Sequence, residues 1–168
     1  MGKDFENMKR FFALMLLLFM LVGCAMTPIK PSDFKLTTQY PAEFCVSVSM
    51  PDITFRAHCR MDSDQSGELT FVTPETLADV CLYFAAEKLL LKNGDISTEL
   101  DAEHFPDWLL LLLLQADETF RCEQREESGI EVYCLKKDSL SLYFEKETKK
   151  PLCLKNEEKG IRVDFIYE

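Results

Sequence analysis

From Glu43 to the C-terminus, apolar and polar residues alternate in short runs that stop and restart at turn-forming residues. Phe44, Val46, Val48 and Met50 share one parity, with Cys45, Ser47 and Ser49 on the other, until Pro51-Asp52 turns the chain. Ile53, Phe55, Ala57 and Cys59 then alternate with Thr54, Arg56, His58 and Arg60. A period of two with one greasy parity marks a half-buried antiparallel strand. Residues 61–67 read as a turn, and a third strand is predicted over 68–72. Thr73-Pro74-Glu75-Thr76 predicts a short helical turn, with Thr73 as its cap and Pro74 in the first helical position. Strands follow over 80–86 and 88–92, and Asn93-Gly94 signals a hairpin returning through 95–100.

The pattern changes once. In FPDWLLLLLLQA, residues 105–116, Phe105, Trp108, Leu109, Leu112, Leu113 and Ala116 recur at helical spacing, which predicts the chain's main helix. Leu110, Leu111 and Leu114 make its other side apolar too, so the helix must be covered on most sides. It is too short to span a bilayer. Five more strands are predicted over 118–124, 130–136, 140–145, 152–156 and 161–167, separated by Ser128-Gly129, Lys137-Asp138, Lys149-Lys150-Pro151 and Lys159-Gly160. Breaks this tight imply a meander rather than parallel crossovers. The expected fold is mainly β (α+β): a curved antiparallel half-barrel sheet with one main helix packed on its concave face. A compact β-sandwich with 105–116 at one end is the runner-up.

The N-terminal pattern is of another kind. In MKRFFALMLLLFMLVGC, residues 8–24, Lys9 and Arg10 precede an apolar run from Phe11 to Val22 and then Gly23-Cys24. A positive start, a short greasy centre and a small residue at the cut make an export signal. Leu21-Val22-Gly23-Cys24 resembles a lipobox, in which the Cys thiol takes a diacylglycerol and becomes the new N-terminus. The competing reading, a transmembrane helix, has only sixteen residues from Phe11 to Met26 before Thr27-Pro28, short of a usual span. The expected organisation is a signal peptide over 1–23, the lipid-anchor Cys24 with a flexible tether over 24–42, and one domain over 43–168. Residues 1–7 are an extended start or precede the true initiator Met8.

A net charge of −10 argues against nucleic acid, whose phosphates need Lys and Arg. It also argues against adhesion to anionic lipid, so membrane residence falls to the acyl chains on Cys24. Of the seven cysteines, Cys45, Cys59, Cys81, Cys122, Cys134 and Cys153 remain for the domain. None lies in a zinc-like or CxxC spacing. Cys59 and Cys134 fall on greasy strand parities, the latter with Ile130 and Val132, so reduced core thiols are expected, with disulfides open to an exported domain.

Candidate chemistry is sparse. Asp62, Asp64 and Ser66, followed by Gly67, copy the first half of a calcium loop, but Thr73 stands where the bidentate Glu belongs and strands flank it. A polar hairpin turn uses the same residues. His58 falls on a solvent parity, and His104 lies among Asp101, Glu103 and Asp107. No phosphate loop, nucleophile elbow or HExxH occurs. The reading is no enzyme, no cofactor and no metal.

The order of parts adds a resemblance: a lipobox, three opening strands, the Thr73-Pro74-Glu75 break, a mid-chain leucine helix, Glu147-Thr148-Lys149-Lys150-Pro151-Leu152 and Ile161-Arg162-Val163-Asp164-Phe165. Over residues 43–168 it resembles the LolA-like lipoprotein carriers (LolA, LolB, LppX and LprG type). It is also similar to Gram-positive anchored relatives, among them spore-germination lipoproteins. The resemblance implies a curved sheet lidded by helices, binding acyl chains in some members and envelope proteins in others. Here the second helical piece is short, so the lid is incomplete.

Two functions are expected on these grounds. In the first, a protein anchored on the extracytoplasmic face of the cell membrane binds an acyl chain or another apolar ligand. Phe55, Leu69, Phe71, Phe120, Val132 and Leu142 of the sheet and Trp108, Leu109, Leu112 and Leu113 of the helix would line that site. In the second, the core is filled and the domain docks a cell-envelope protein.

Overall fold

The structure is a computed structural model that describes residues 29–35, 39–78, 80–85, 88–101, 103 and 105–167. The signal segment, Cys24 and His104 lie outside the described residues. Strands β1 (Ala42–Ser49), β2 (Thr54–Met61), β3 (Ser66–Thr73), β4 (Val80–Ala85), β5 (Lys88–Asn93) and β6 (Ile96–Asp101) precede helix α1 (Asp107–Leu112). Strands β7 (Arg121–Glu127), β8 (Ile130–Lys137), β9 (Leu140–Glu145), β10 (Pro151–Asn156) and β11 (Ile161–Ile166) follow it. They form one open antiparallel sheet in the order β6-β5-β4-β3-β2-β1-β11-β10-β9-β8-β7. Two meanders are thus joined by a single long-range pairing, β1 with β11, in which Val46 faces Phe165 and Val48 faces Val163. The curved half-barrel is observed, and the sandwich is not.

The order explains where the helix goes. The chain leaves one sheet edge at β6 and re-enters at the opposite edge, β7. Eleven strands at about 4.8 Å spacing would separate these edges by roughly 50 Å if the sheet were flat. Crossing on the concave side shortens that path, and it lays the leucines of α1 on the apolar face. Two-residue turns keep the strands adjacent: Ser128 and Gly129 both take positive φ, 54° and 81°, as the tight turns matched to strand twist require.

The central strands follow their sequence parity. Phe44, Val46 and Val48 of β1, Phe55, Ala57, Cys59 and Met61 of β2, and Ile161, Val163 and Phe165 of β11 are all buried in one cluster. Strand β8 does not. Its inward residues are Tyr133 and Leu135, while Val132 and Cys134 join Tyr143 and Cys153 in a second cluster on the opposite face. Both parities of β8 are apolar, so the alternation is ambiguous there. The register with β9, which sets Leu135 against Leu142 and Tyr133 against Phe144, decides it.

Three boundaries differ from expectation. Helix α1 is six residues long, against the twelve of 105–116. Pro106 takes the cap position, and at the far end Leu114 N–H bonds to Leu111 O at 3.2 Å, a tightening that closes the helix. Gln115 then donates to Asp64 at 2.8 Å, which fastens the following stretch to the β2–β3 turn. Strand β7 starts at Arg121, because Asp117–Thr119 folds into a turn in which Thr119 N–H reaches Asp117 Oδ1 at 2.9 Å. Thr73 is not a helix cap: its Oγ1 accepts from Arg56 N–H at 3.1 Å, and the 3-10 turn over Glu75–Leu77 begins after Pro74.

The expected tether also ends early. Pro31–Asp33 forms a 3-10 turn closed by Phe34 N–H to Pro31 O at 3.1 Å, and Phe34 is only 2% exposed. Its ring meets Tyr133 and Phe144, so the domain begins before residue 43. Among the described residues, no helix is long and apolar enough to cross a membrane.

Candidate functional site

The sheet brings most of the expected lining together. Phe55, Leu69, Phe71, Trp108, Leu109, Leu112, Phe120 and Leu142 share the main cluster, and Leu113 packs partly against it. Val132 lies on the other face and cannot line the same site. The region beneath the helix is occupied by side chains. Trp108 stands edge-on to Phe55 at 5.0 Å and to Phe71 at 6.5 Å, and those two rings meet at 5.1 Å. Leu109 and Leu112 are fully buried. Edge-to-face packing of this kind adds about 0.5–1.5 kcal/mol per pair beyond area burial.

Open space begins where the helix ends. A crevice of about 480 Å3 is walled by Phe34, Met61, Leu112, Leu113, Leu114 and Ala116, with Asp33, Lys35, Tyr40, Asp64 and Gln115 as its polar part. Only Leu112 and Leu113 of the expected lining reach it. Phe34, Met61 and Lys35 were missed. The available signal was a lone Phe after Pro31-Ser32-Asp33, an apolar residue just past a helical-turn motif in an otherwise polar stretch. Burial, and then the Asp64 carboxylate, push the Tyr40 phenol above its ordinary range, so it remains an O–H donor at neutral pH.

A second recess of about 540 Å3 adjoins the first, and the two share Asp33 and Lys35. Lys149, Lys150, Glu43 and Tyr167 also line it. Lys149 Nζ lies 5.5 Å above the Phe34 ring, and Lys150 Nζ lies 5.1 Å above the Tyr167 ring. Tyr167 in turn donates to Pro151 O at 2.7 Å, and burial, then Glu145, raise its pKa.

The other candidates resolve into structure. Asp62 pairs with Arg60 at 3.2 Å, Asp64 accepts from Gln115, and the Ser66 hydroxyl meets that of Ser63 at 2.6 Å. Asp62 N–H closes on Ser66 O at 2.9 Å, an ordinary turn. No group of three or more His, Cys, Asp or Glu is placed to hold a metal among the described residues. His58 is exposed on its strand. The six described cysteines are free thiols, with Cys59, Cys134 and Cys153 buried. What the site offers is an apolar wall beside ammonium and phenol donors.

No protein-family model matches the sequence, and no curated protein does. Some solved structures are similar to part of the chain. The chain is similar to a LolA superfamily protein from Nitrosomonas europaea at 7% identity and a TM-score of 0.40, over 77% of this chain and 86% of that one. It is similar to a conserved protein from Thermus thermophilus at 12% identity and a TM-score of 0.48, over 77% and 80%. A DUF1329 family protein from Desulfovibrio piger matches at 9% identity and a TM-score of 0.32, over 74% and 82%.

Proposed function

We propose that this is a lipid-anchored, extracytoplasmic, non-enzymatic protein that binds an acyl chain or another apolar group. The crevice at the end of α1 carries the reading. Its volume falls in the range of about 300–1,000 Å3 typical of small-molecule sites, and six apolar side chains wall it. The ligand sits at the Leu112–Ala116 end and not under Trp108, where the rings leave no room. Anchoring rests on the sequence: Leu21-Val22-Gly23-Cys24 behind a basic, greasy segment. Native mass spectrometry of protein purified from its own membrane tests the binding, with an apolar molecule expected to co-purify and to leave on delipidation. Protein that carries none, and binds no fluorescent fatty acid afterwards, would end this reading.

One observation favours a second reading, an adaptor for a cell-envelope protein of the sporulation or germination kind. Strand β6 is a sheet edge whose residues 96–99 are exposed, with Ile96 at 74%, and such an edge is a template for an added strand. A stoichiometric protein partner in the same preparation, with no small molecule, would favour the adaptor.

A further inference from the structure

We infer that the ligand is an anionic, single-tailed amphiphile whose carboxylate or phosphate head is held by Lys35, Lys149 and Lys150 while its chain lies in the crevice. This rests on the binding reading above and names the class of ligand. The geometry is that of two recesses meeting at Asp33 and Lys35: six apolar side chains wall one part of the first, and Lys35, Lys149 and Lys150 stand around the second. A molecule with its tail along Leu112–Ala116 therefore brings its head past Phe34 into the lysines.

Charge supports the same assignment. The chain has 29 acidic residues against 19 basic ones. Lys88, Lys137, Lys146, Lys155 and Lys159 each pair with a carboxylate. None of the ion pairs among the described residues involves Lys35, Lys149 or Lys150. Two of these three lean instead on aromatic faces, Phe34 and Tyr167, which fix an ammonium without neutralising it. Two carboxylates, Asp33 and Glu43, line the second recess beside the three lysines. Asp33 accepts from Lys30 N–H at 3.1 Å, and Glu43 sits opposite Arg60 in the β1–β2 register. A local positive site on an acidic protein selects an anion and discriminates against a neutral analogue.

The test compares cis-parinaric acid with its methyl ester on delipidated full-length protein, read by probe fluorescence. The acid should bind about tenfold more tightly than the ester, the sum of a few partly exposed charge contacts. Added salt should erase that gap. The double variant Lys149→Gln/Lys150→Gln, at two exposed positions, should remove the preference for the acid over the ester, with the wild-type thermal midpoint as a folding control. Inorganic phosphate equimolar with the probe should displace nothing. Equal binding of acid and ester by wild type would overturn the inference and leave the apolar site standing. So would a preference that survives the double variant, or displacement by phosphate alone, since the head site would then not need the tail. Failure of both probes to bind would remove the binding function itself.

Discussion

Phe34 stands edge-on to Tyr133, with ring centroids 5.2 Å apart and planes at 61°, and its other neighbour, Phe144, lies at 5.0 Å. The contact fastens a segment that precedes the first strand to the β8–β9 part of the sheet. Phe34 also forms a wall of the crevice, so one ring serves stability and binding together. Phe34→Ala should lower stability by about 3 kcal/mol, as truncation of a buried aromatic does. Denaturant unfolding would read it. A loss below about 0.5 kcal/mol, the scale of an ordinary surface change, would show that the segment is not part of the core.

Core and crevice can be separated by two substitutions. Leu112 is fully buried, so Leu112→Glu should cost several kcal/mol and abolish the folded state. Ala116 is only half-buried and faces the crevice, so Ala116→Phe should block binding of a fluorescent fatty acid and change stability by about 0.5 kcal/mol or less. Trp108, the single tryptophan, is clamped by Phe55 and Phe71 in the first turn of α1. Its emission should stay constant as ligand binds. A shift would mean that the ligand enters beneath the helix.

Gly67 lies inside β3, opposite Met61 on one side and Phe84 on the other. A Cβ there would fall 2.3 Å from Arg60 O and 2.9 Å from the Phe84 ring. Gly67→Ala should therefore destabilise the domain by about 2 kcal/mol or more, although Ala is the better residue in an unhindered strand. Thermal unfolding of the variant with an unchanged midpoint would contradict the close approach.

Burial pushes the Cys59 thiol from an ordinary 9.0 up to about 12, and burial, then Asp164, does the same for Cys153. The native state keeps these protons at pH values where the unfolded chain loses them. Stability is thus fully present below about pH 9 and falls as pH rises from 9 toward 12, at up to about 1.4 kcal/mol per pH unit for each thiol. Denaturant titrations across that window should show the decline, and Cys59→Ala should roughly halve it. At pH 8 the native protein should protect both thiols from an alkylating reagent. Rapid labelling of Cys59 without unfolding would count against its burial.

For the anchor, Cys24→Ala should give an uncleaved or released protein that no longer partitions into detergent or takes up labelled palmitate. Unchanged mass and membrane association would refute lipidation.

Much of the fold was legible because strands declare themselves locally. Period-two alternation in β1 and β2, and Gly, Pro, Asn or Asp between runs, are short-range signals, and eleven strands follow from them. The leucine helix was legible in kind and place but not in length, since a run of leucines carries no stop signal of its own. Its end came from contacts made elsewhere, Gln115 with Asp64 among them. The facing of β8 was not legible either. With Val132, Tyr133, Cys134 and Leu135 all apolar or aromatic, only pairing with β9 chooses the inward pair.

The candidate site divides along the same line. The sequence by itself determined that Trp108, Leu109 and Leu112 would meet the apolar face of β2 and β3, because helical and strand periods leave no other face to bury. Only the tertiary structure decided that this meeting is filled, since three rings can interlock or leave a gap with the same pattern. The open space went to the helix end, where Phe34 arrives from before the first strand and Met61 from β2, with Lys149 of the turn before β10 in the adjoining recess. These residues lie far apart in the chain and have no shared period, so nothing short of the folded sheet brings them together.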